Sequence, residues 1–172
     1  LTIPAPMAVG AVHHRLIKEG IRCDCNIIIE TASTWNSHHF AVLLGYGCSA
    51  IYPYLSFSII ENMILRNGHD KNIYGSHVSN YIKGINKGLL KIMSKMGISC
   101  VSSYRGAQLF EIIGLNSEII NLCFKNNTSR IEGAGFKDIE NDIEKNKKYS
   151  LKPSEAIGKG GLLKFTAGGE YH

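Results

Sequence analysis

The sequence lacks the features of a membrane protein or a secreted precursor. It has no apolar run near the roughly 20 residues that a membrane-spanning helix requires. Its first residues, Leu1 to Pro4, carry no basic side chain, as the start of a signal peptide would. It also lacks an initiator methionine and stops abruptly after "GGEYH", so we expect a piece of a longer protein with no membrane partner.

Charge is also scarce and spread out. Only 19% of the residues are charged, whereas about 25% is usual for a soluble domain, and this indicates surface that a partner covers. The net charge of +5 comes from scattered lysines and predicts a mildly basic, solvated surface. Docking to an acidic partner is the alternative. No motif supports nucleic acid, and we expect none to bind.

The cysteine pattern favours free thiols. The count is odd, at five, and Cys100 and Cys123 lie within apolar runs, which is typical of a reducing compartment. Cys23 and Cys25 form a single C-x-C without a second pair at metal-site spacing. We therefore expect no metal ion or iron–sulfur cluster to be bound within this segment.

Hydrophobic periodicity predicts alternating helices and strands through most of the chain. In the first half the predicted elements are a helix over 7–20, a buried strand over 25–30, a helix over 37–47 with Ser37 as N-cap, a strand from 48 cut by Pro53, and a helix over 55–66. Residues 67–75 are predicted to form a surface loop.

A long amphipathic helix is predicted next, over 79–97. Its apolar stripe consists of Tyr81, Ile85, Leu89, Ile92 and Met96. Beyond it we predict a buried strand over 98–103, a helix over 106–115, a helix over 117–124 with Ser117 as N-cap, one more helix marked by Phe136, Ile139 and Ile143, and a linker with a glycine-rich tail from Tyr149.

This alternation indicates an α/β protein with a parallel sheet, organised as a partial (β/α) barrel-like domain followed by a polar linker and an irregular C-terminal tail. Only about three strands are predicted, whereas a closed barrel needs eight and about 250 residues. A barrel would therefore be present only in part.

The paired histidines and the glycine-tyrosine-glycine between His38 and Gly47 resemble an active site. Adjacent helical residues point about 100° apart, so neither His13-His14 nor His38-His39 can serve one metal without distortion. Gly45-Tyr46-Gly47 follows a helix, whereas a phosphate loop precedes one. We interpret all of these residues as scaffold and expect no nucleophilic role for Cys48.

The stretch from Ser102 to Gln108 is the best local candidate for a site. It is predicted to follow a strand and open a helix, the position where parallel α/β proteins collect ligands. Arg105 is then a candidate anion ligand, assisted by Ser102, Ser103 and Tyr104, and Glu30 has a similar position. The alternative is that they cap the helix and line an interface. "GAGF" at 133–136 opens a helix, but no apolar strand precedes it.

Three long runs, over 5–22, 30–55 and 80–115, resemble the large chain of glutamate synthase. The likeness extends from Ile3 to about Gly135, with gaps only around Asn67. "TASTW" followed by "HHFAVLLGYG" is most similar to the ferredoxin-dependent form of cyanobacteria and plastids. The resemblance implies that 1–125 is the C-terminal part of the central domain and that 126–172 is a linker and the start of the FMN-binding domain.

The family resemblance implies an enzyme with a glutaminase, an FMN-binding barrel holding a 3Fe-4S cluster, and an ammonia tunnel between them. Glutamine and 2-oxoglutarate are converted to glutamate with electrons from ferredoxin or NAD(P)H. The residues that bind FMN, the cluster and glutamine match nothing in this segment, so no catalytic or cofactor-binding residue is transferred. Its implied role is a scaffold, with Glu30 and 102–105 as tunnel or interface lining.

Two other hypotheses remain open on the residues alone. One is an α/β scaffold or interaction module without enzymatic function. The other is a free-standing flavin or phosphate binder centred on Ser102 to Arg105. The reading frame on either side separates them, because a glutamate synthase requires an upstream glutaminase and a downstream three-cysteine cluster motif.

Overall fold

The computed structural model describes residues 3–67 and 73–150. The elements in chain order are α1 (Ala5–Lys18), β1 (Ile28–Glu30), α2 (Ser37–Gly45), β2 (Ala50–Tyr52), α3 (Tyr54–Arg66), α4 (Tyr74–Met96), α5 (Val101–Tyr104), β3 (Ile112–Leu115), α6 (Ser117–Cys123), β4 (Ser129–Ala134) and α7 (Phe136–Ser150). Within these ranges no helix is long and apolar enough to cross a membrane.

The described strands form two small parallel sheets. β1 pairs with β2, and Ile29 is opposite Ile51 in the register; β3 pairs with β4, and Ile113 is opposite Ile131. A helix lies between the two strands of each pair, as a parallel connection requires. The predicted α/β class is confirmed. A barrel is not seen in the part of the chain that the structure describes, so the barrel-like arrangement stays a prediction.

The long helices follow the sequence pattern closely. Pro6 lies in the first turn of α1, where its missing N–H costs nothing, and Gly20 follows this helix at φ +75°. α4 buries Ile85 and Met93 and ends at Gly97, which has a left-handed backbone at φ +71°. Both glycines perform the terminating role that the sequence predicts.

Asparagines rather than serines cap two of the helices. The Oδ1 of Asn36 accepts hydrogen bonds from the backbone N–H groups of His38 and His39, at 3.0 and 3.1 Å. The Oδ1 of Asn116 accepts from the N–H of Ile119 at 3.0 Å. The prediction of Ser37 and Ser117 as N-caps is therefore wrong by one residue. In each case the asparagine before the serine takes the role.

Two predicted elements between 98 and 115 are wrong in type. The predicted strand over 98–103 is the single helical turn α5, preceded by extended backbone at Cys100. The predicted helix over 106–115 ends instead in the strand β3, where Gly114 has φ +82° and cannot lie in a helix. The β-branched pair Ile112 and Ile113 favours the extended form.

β4 is a strand that the sequence pattern did not predict, and it lies in the segment interpreted as a linker. Four of its six residues are exposed, so no apolar alternation marks it. The strand over 25–30 was predicted as buried, yet Ile28 of β1 is 71% exposed. In the region predicted as a loop, residues 68–72 lie outside the described residues, as does the predicted tail over 151–172.

Three apolar clusters form the core. The first joins α1 to α6 around Met7, Ile119 and Cys123. The second joins α1 to α2 and β1 around Val9, Leu43 and Cys48. The third joins α2, α4 and α5 around Ala41, Met93 and Tyr104. α1 thus takes part in two of the clusters, and it positions the turns that pack on its two faces.

Contact between α1 and α6 depends on Gly10. A side-chain carbon at this position would overlap the backbone carbonyl of Cys123. The two helices therefore approach to a separation that only glycine permits. This close approach holds the end of α6 beside α1, where a cleft opens between them.

Candidate functional site

The five residues predicted to line a tunnel or interface do not form one site. Glu30 is the last residue of β1 and lies at the carboxyl end of the sheet. The Nη1 of Arg105 donates to the Oγ of Ser49 at 2.8 Å, and Ser49 immediately precedes β2. Arg105 therefore lies at the amino end. The structure contradicts its predicted position, which was after a strand and at the start of a helix.

Arg105 has a structural partner at this position. The hydroxyl of Ser49, which receives its hydrogen bond, donates in turn to the Oδ1 of Asn26 at 3.0 Å. Asn26 and Ser49 precede the two paired strands, so this short chain of hydrogen bonds ties Arg105 to the start of the sheet. Its guanidinium follows α5 instead of preceding a helix, because Arg105 is the residue directly after the end of α5.

The other three predicted residues differ in exposure. Ser102 and Ser103 are exposed on α5. Tyr104 is only 1% exposed and packs against Ala41 and Met93, with its hydroxyl unpaired among the described residues. Burial raises the pKa of Tyr104. Its side chain is thus part of the core, and a lining role for these residues stays a prediction.

Cys100 is the most reactive thiol by environment. It is exposed, and its Sγ lies 2.8 Å from the Oγ of Ser102. This hydrogen bond, with those from the backbone of Ser102 and Ser103, lowers the pKa of Cys100. Burial raises the pKa of Cys48 and of Cys123. Cys100 lies in an apolar run of the sequence, and its exposure in the structure could not be predicted from that run.

His13 is held by an arginine that the sequence analysis did not single out. The Nε of Arg22 donates to the Nδ1 of His13 at 2.9 Å, and its two other nitrogens donate to the carbonyls of Cys25 and Gly47, each at 2.7 Å. Burial, then the charge of Arg22, then His14 lower the pKa of His13 to about 4. His13 is therefore neutral near pH 7, with its proton on Nε2.

Gly45 and Gly47 of the Gly45-Tyr46-Gly47 segment have roles in the backbone geometry. The helix predicted over 37–47, with Gly45 or Gly47 as its stop, ends at Gly45, and Gly47 has φ +109°. A side-chain carbon at Gly47 would overlap the ring of His13. The carbonyl of Gly45 accepts from the N–H of Gly106 at 2.8 Å. These contacts agree with a scaffold role for Gly45-Tyr46-Gly47.

The second histidine pair has local contacts. The N–H of Trp35 points to the Nδ1 of His39 at 3.5 Å, and the ring of His38 meets Phe110 edge-on at 6.3 Å. Burial and the charge of His38 lower the pKa of His39. None of these contacts directs His38 or His39 towards a ligand position shared with the His13-His14 pair.

A cleft lies between the C-terminal half of α1, the end of α2 and the end of α6. Its volume is about 620 Å³. Its charged lining residues are Arg15, Lys18 and Lys125, and none of its lining residues is Asp or Glu. Because it unites segments at 11–18, 45–46, 106–110 and 121–127, no local pattern in the sequence could have indicated it.

The described residues do not fit an iron–sulfur cluster, and the start of α7 does not suit the phosphate of a flavin. No group of three His, Cys, Asp or Glu side chains within them could hold a metal ion. β4 leads through Gly135 into α7, so the strand before the end of "GAGF" is mostly exposed and not an apolar one. The N–H of Gly135 already donates to Asp138 at 2.8 Å, and this carboxylate would repel a phosphate there.

Comparisons with known proteins give a consistent family. Residues 1–116 match the family model described as the glutamate synthase central domain. The chain is 44% identical to a ferredoxin-dependent glutamate synthase of Pyropia yezoensis over 184 residues, covering 100% of this chain and 12% of the relative.

Two further relatives come from a plant and a yeast. The chain is 40% identical to ferredoxin-dependent glutamate synthase 1, chloroplastic/mitochondrial, of Arabidopsis thaliana, over 99% of this chain and 11% of the relative. It is 38% identical to glutamate synthase [NADH] of Saccharomyces cerevisiae, over 100% of this chain and 8% of the relative. The chain thus spans about an eighth or less of the length of these proteins.

Proposed function

The chain belongs to the glutamate synthase family through its central domain, and on that premise we propose that it is part of an enzyme that makes L-glutamate from glutamine and 2-oxoglutarate. The whole enzyme is then an oxidoreductase acting on CH-NH2 donors. The observation that carries this proposal is the identity of 44% over the full chain with a named glutamate synthase.

We propose reduced ferredoxin as the electron source and partner. Relatives named ferredoxin-dependent are 38% to 44% identical, and the NADH-named enzyme of yeast is 38% identical. The difference is small, so NAD(P)H is the alternative donor that an assay must test. The chloroplastic names among the relatives support a location in the plastid stroma, with the cytoplasm as the alternative.

In the whole enzyme this segment acts as a scaffold and as a wall of the ammonia passage. Apolar residues on the described sheets support such a role, because Ile28, Ile113 and Ile131 are 71%, 69% and 57% exposed. Parallel sheets are normally covered on both faces, and neighbouring domains of the same chain would cover them. FMN and the 3Fe-4S cluster would bind elsewhere in the enzyme, since no group of three His, Cys, Asp or Glu side chains within the described residues could hold a cluster and the start of α7 does not suit a flavin phosphate.

We further propose that residues 1–125 belong to the central domain and that 126–172 lead into the FMN-binding domain. The family match over 1–116 supports the first range. β4 lies beyond the proposed boundary yet pairs with β3 before it. The segment that leads into the FMN-binding domain would therefore begin after β4, once the β3–β4 pair is complete.

The wall proposal is tested by coupling in the full-length enzyme. Ser103→Trp places a bulky side chain on the exposed face of α5, and Ser94→Trp on exposed α4 is the matched control. We expect Ser103→Trp to raise the glutamine consumed per 2-oxoglutarate consumed and the control to leave that ratio unchanged. An unchanged ratio in both variants would remove the wall role.

The enzyme assignment has a separate test in the flanking gene. A glutaminase-coding region upstream and a three-cysteine motif downstream in the same reading frame are expected. A frame without the glutaminase region would instead favour a non-enzymatic α/β scaffold.

A further inference from the structure

The cleft beside α1 has an uncompensated positive lining. Lys18 and Lys125 line it, and neither forms an ion pair with any residue that the structure describes. The third cation, Arg15, pairs with Glu19 at 2.8 Å and contributes less net charge. Since no carboxylate lines the cleft, a bound anion would meet no repelling side chain.

Neutral donors complete the polar lining. His13 lines the cleft, and its Nε2 carries a proton because Nδ1 accepts from Arg22. Gly106, another lining residue, lies beside this Nε2. The amide of Gln108 also lines the cleft. The N–H of Gly106 is already bound to the carbonyl of Gly45, so the neutral donors available to a carboxylate or phosphate oxygen are the Nε2–H of His13 and the side-chain amide of Gln108.

The backbone around the cleft is unusual. Gln108 and Asn126 have φ values of +52° and +68°, and they are the only non-glycine residues with positive φ in the part of the chain that the structure describes. Both line the cleft. Left-handed backbone is common for asparagine but rare for glutamine, and such outliers concentrate at ligand sites.

Helix ends offer a competing explanation for the lysines. α1, α2 and α6 all direct their C-terminal ends towards the cleft, and each end carries at most about half a negative charge. Lys18 in the last turn of α1 would stabilise such an end. The seven-residue α6 contributes the least, so the two lysines outweigh the helix ends by a modest margin.

From this lining we propose that the cleft binds a small anion bearing carboxylate or phosphate groups, held by Lys18 and Lys125 with the Nε2–H of His13 as a neutral donor. A volume of about 620 Å³ is suited to a small molecule. The proposal does not depend on the glutamate synthase activity, and its test involves no turnover.

Lysine protection in the full-length protein tests this binding at the site itself. The protein is acetylated by an amine-selective reagent, and peptide mass spectrometry gives the rate at Lys18, Lys125 and the exposed Lys91 of α4. Inorganic phosphate, succinate and chloride are compared at equal ionic strength. We expect phosphate or succinate to slow acetylation severalfold at Lys18 and Lys125 but not at Lys91. The two arms distinguish a phosphate ligand from a carboxylate.

A variant links the protection to the proposed contacts. Lys125→Gln is expected to raise about tenfold the anion concentration that half-protects Lys18, as the loss of one charge-assisted hydrogen bond predicts. Lys91→Gln should leave that concentration unchanged. Equal protection by chloride, protection of all three lysines alike, or no effect of Lys125→Gln would overturn the proposal. Lysines that do not react even without anion would also overturn it, because the cleft would then be closed by protein.

Discussion

Arg22 and His13 share a hydrogen bond from Nε to Nδ1 of 2.9 Å, and the same guanidinium binds the carbonyls of Cys25 and Gly47. One side chain thus fastens α1, the turn before β1 and the end of α2 together. The planar fork of arginine meets three acceptors in fixed directions, which lysine cannot do.

Arg22→Lys should therefore destabilise the chain although the charge is kept. Loss of two of three hydrogen bonds predicts a lower free energy of unfolding by about 2 kcal/mol. Urea unfolding of the chain gives this value. Arg66→Lys, at the exposed end of α3, is the control and should change it by less than about 0.5 kcal/mol. Equal effects of the two variants would contradict a clamp at Arg22.

Stability should fall as the pH falls from about 6.5 towards 4. The pKa of His13 is about 4 in the folded chain, below its ordinary value of 6.5, so the unfolded chain binds more protons between these values. His14 and His39, whose pKa values are also lowered, act in the same direction.

Unfolding midpoints in urea between pH 4 and 7.5 measure this dependence. His13→Gln, which retains an acceptor for Arg22 but does not titrate, should flatten the decline without abolishing it. A decline of the same steepness in His13→Gln would show that His13 does not contribute to it.

Alanine should have opposite effects at two helical glycines. At Gly10 of α1 the new methyl group overlaps the carbonyl of Cys123, so α1 and α6 must separate and the chain is destabilised by about 2 kcal/mol or more. At Gly84 of α4 nothing lies within 4 Å. There alanine should stabilise by about 0.5–1 kcal/mol, because glycine is the poorer helix former.

Thermal unfolding midpoints of the two variants compare these signs directly. Each variant serves as the control of the other, since both make the same chemical change inside a helix. Stabilisation by Gly10→Ala would disprove the close contact of α1 with α6.

Cys100 should be alkylated before the buried Cys48 and Cys123. Its exposed thiol has a lowered pKa, chiefly through the hydrogen bond with Ser102. Iodoacetamide labelling at pH 7.5, followed by peptide mass spectrometry, gives the order. Ser102→Ala should raise the pKa and slow labelling of Cys100. Ser99→Ala, on the other side of Cys100, should leave the rate unchanged; if it slows labelling as much, the hydrogen bond with Ser102 is not the cause.

The sequence correctly predicted the elements in which apolar residues recur at a regular spacing. α4 was predicted from Tyr81, Ile85 and Leu89, because one face of this long helix packs on α2 and α3. The turn-forming glycines at positions 20 and 97 were predicted from the same logic. Asn36 and Asn116 took the capping roles from neighbouring serines because asparagine is an equally good N-cap and comes one residue earlier.

The errors lie in segments whose structure is determined by tertiary contacts. β4 has no apolar alternation, since most of its residues are exposed, and it is defined by its pairing with β3. Arg105 was expected at a ligand position because a strand was assumed before it. The cleft and the clamp of Arg22 join residues that are far apart in the sequence, so neither could be predicted from spacing.

The contact of Gly10 with Cys123 also bears on how the chain matures on the ribosome. α1 is synthesised first, whereas α6 emerges only after the whole stretch from position 10 to position 123 has been made. Until then the side of α1 that packs on α6 has no permanent neighbour, and loop closure over so long a stretch is slow. The nascent chain therefore exposes an apolar face of α1 while the residues between positions 10 and 123 are made, and chaperones bind surfaces of this kind.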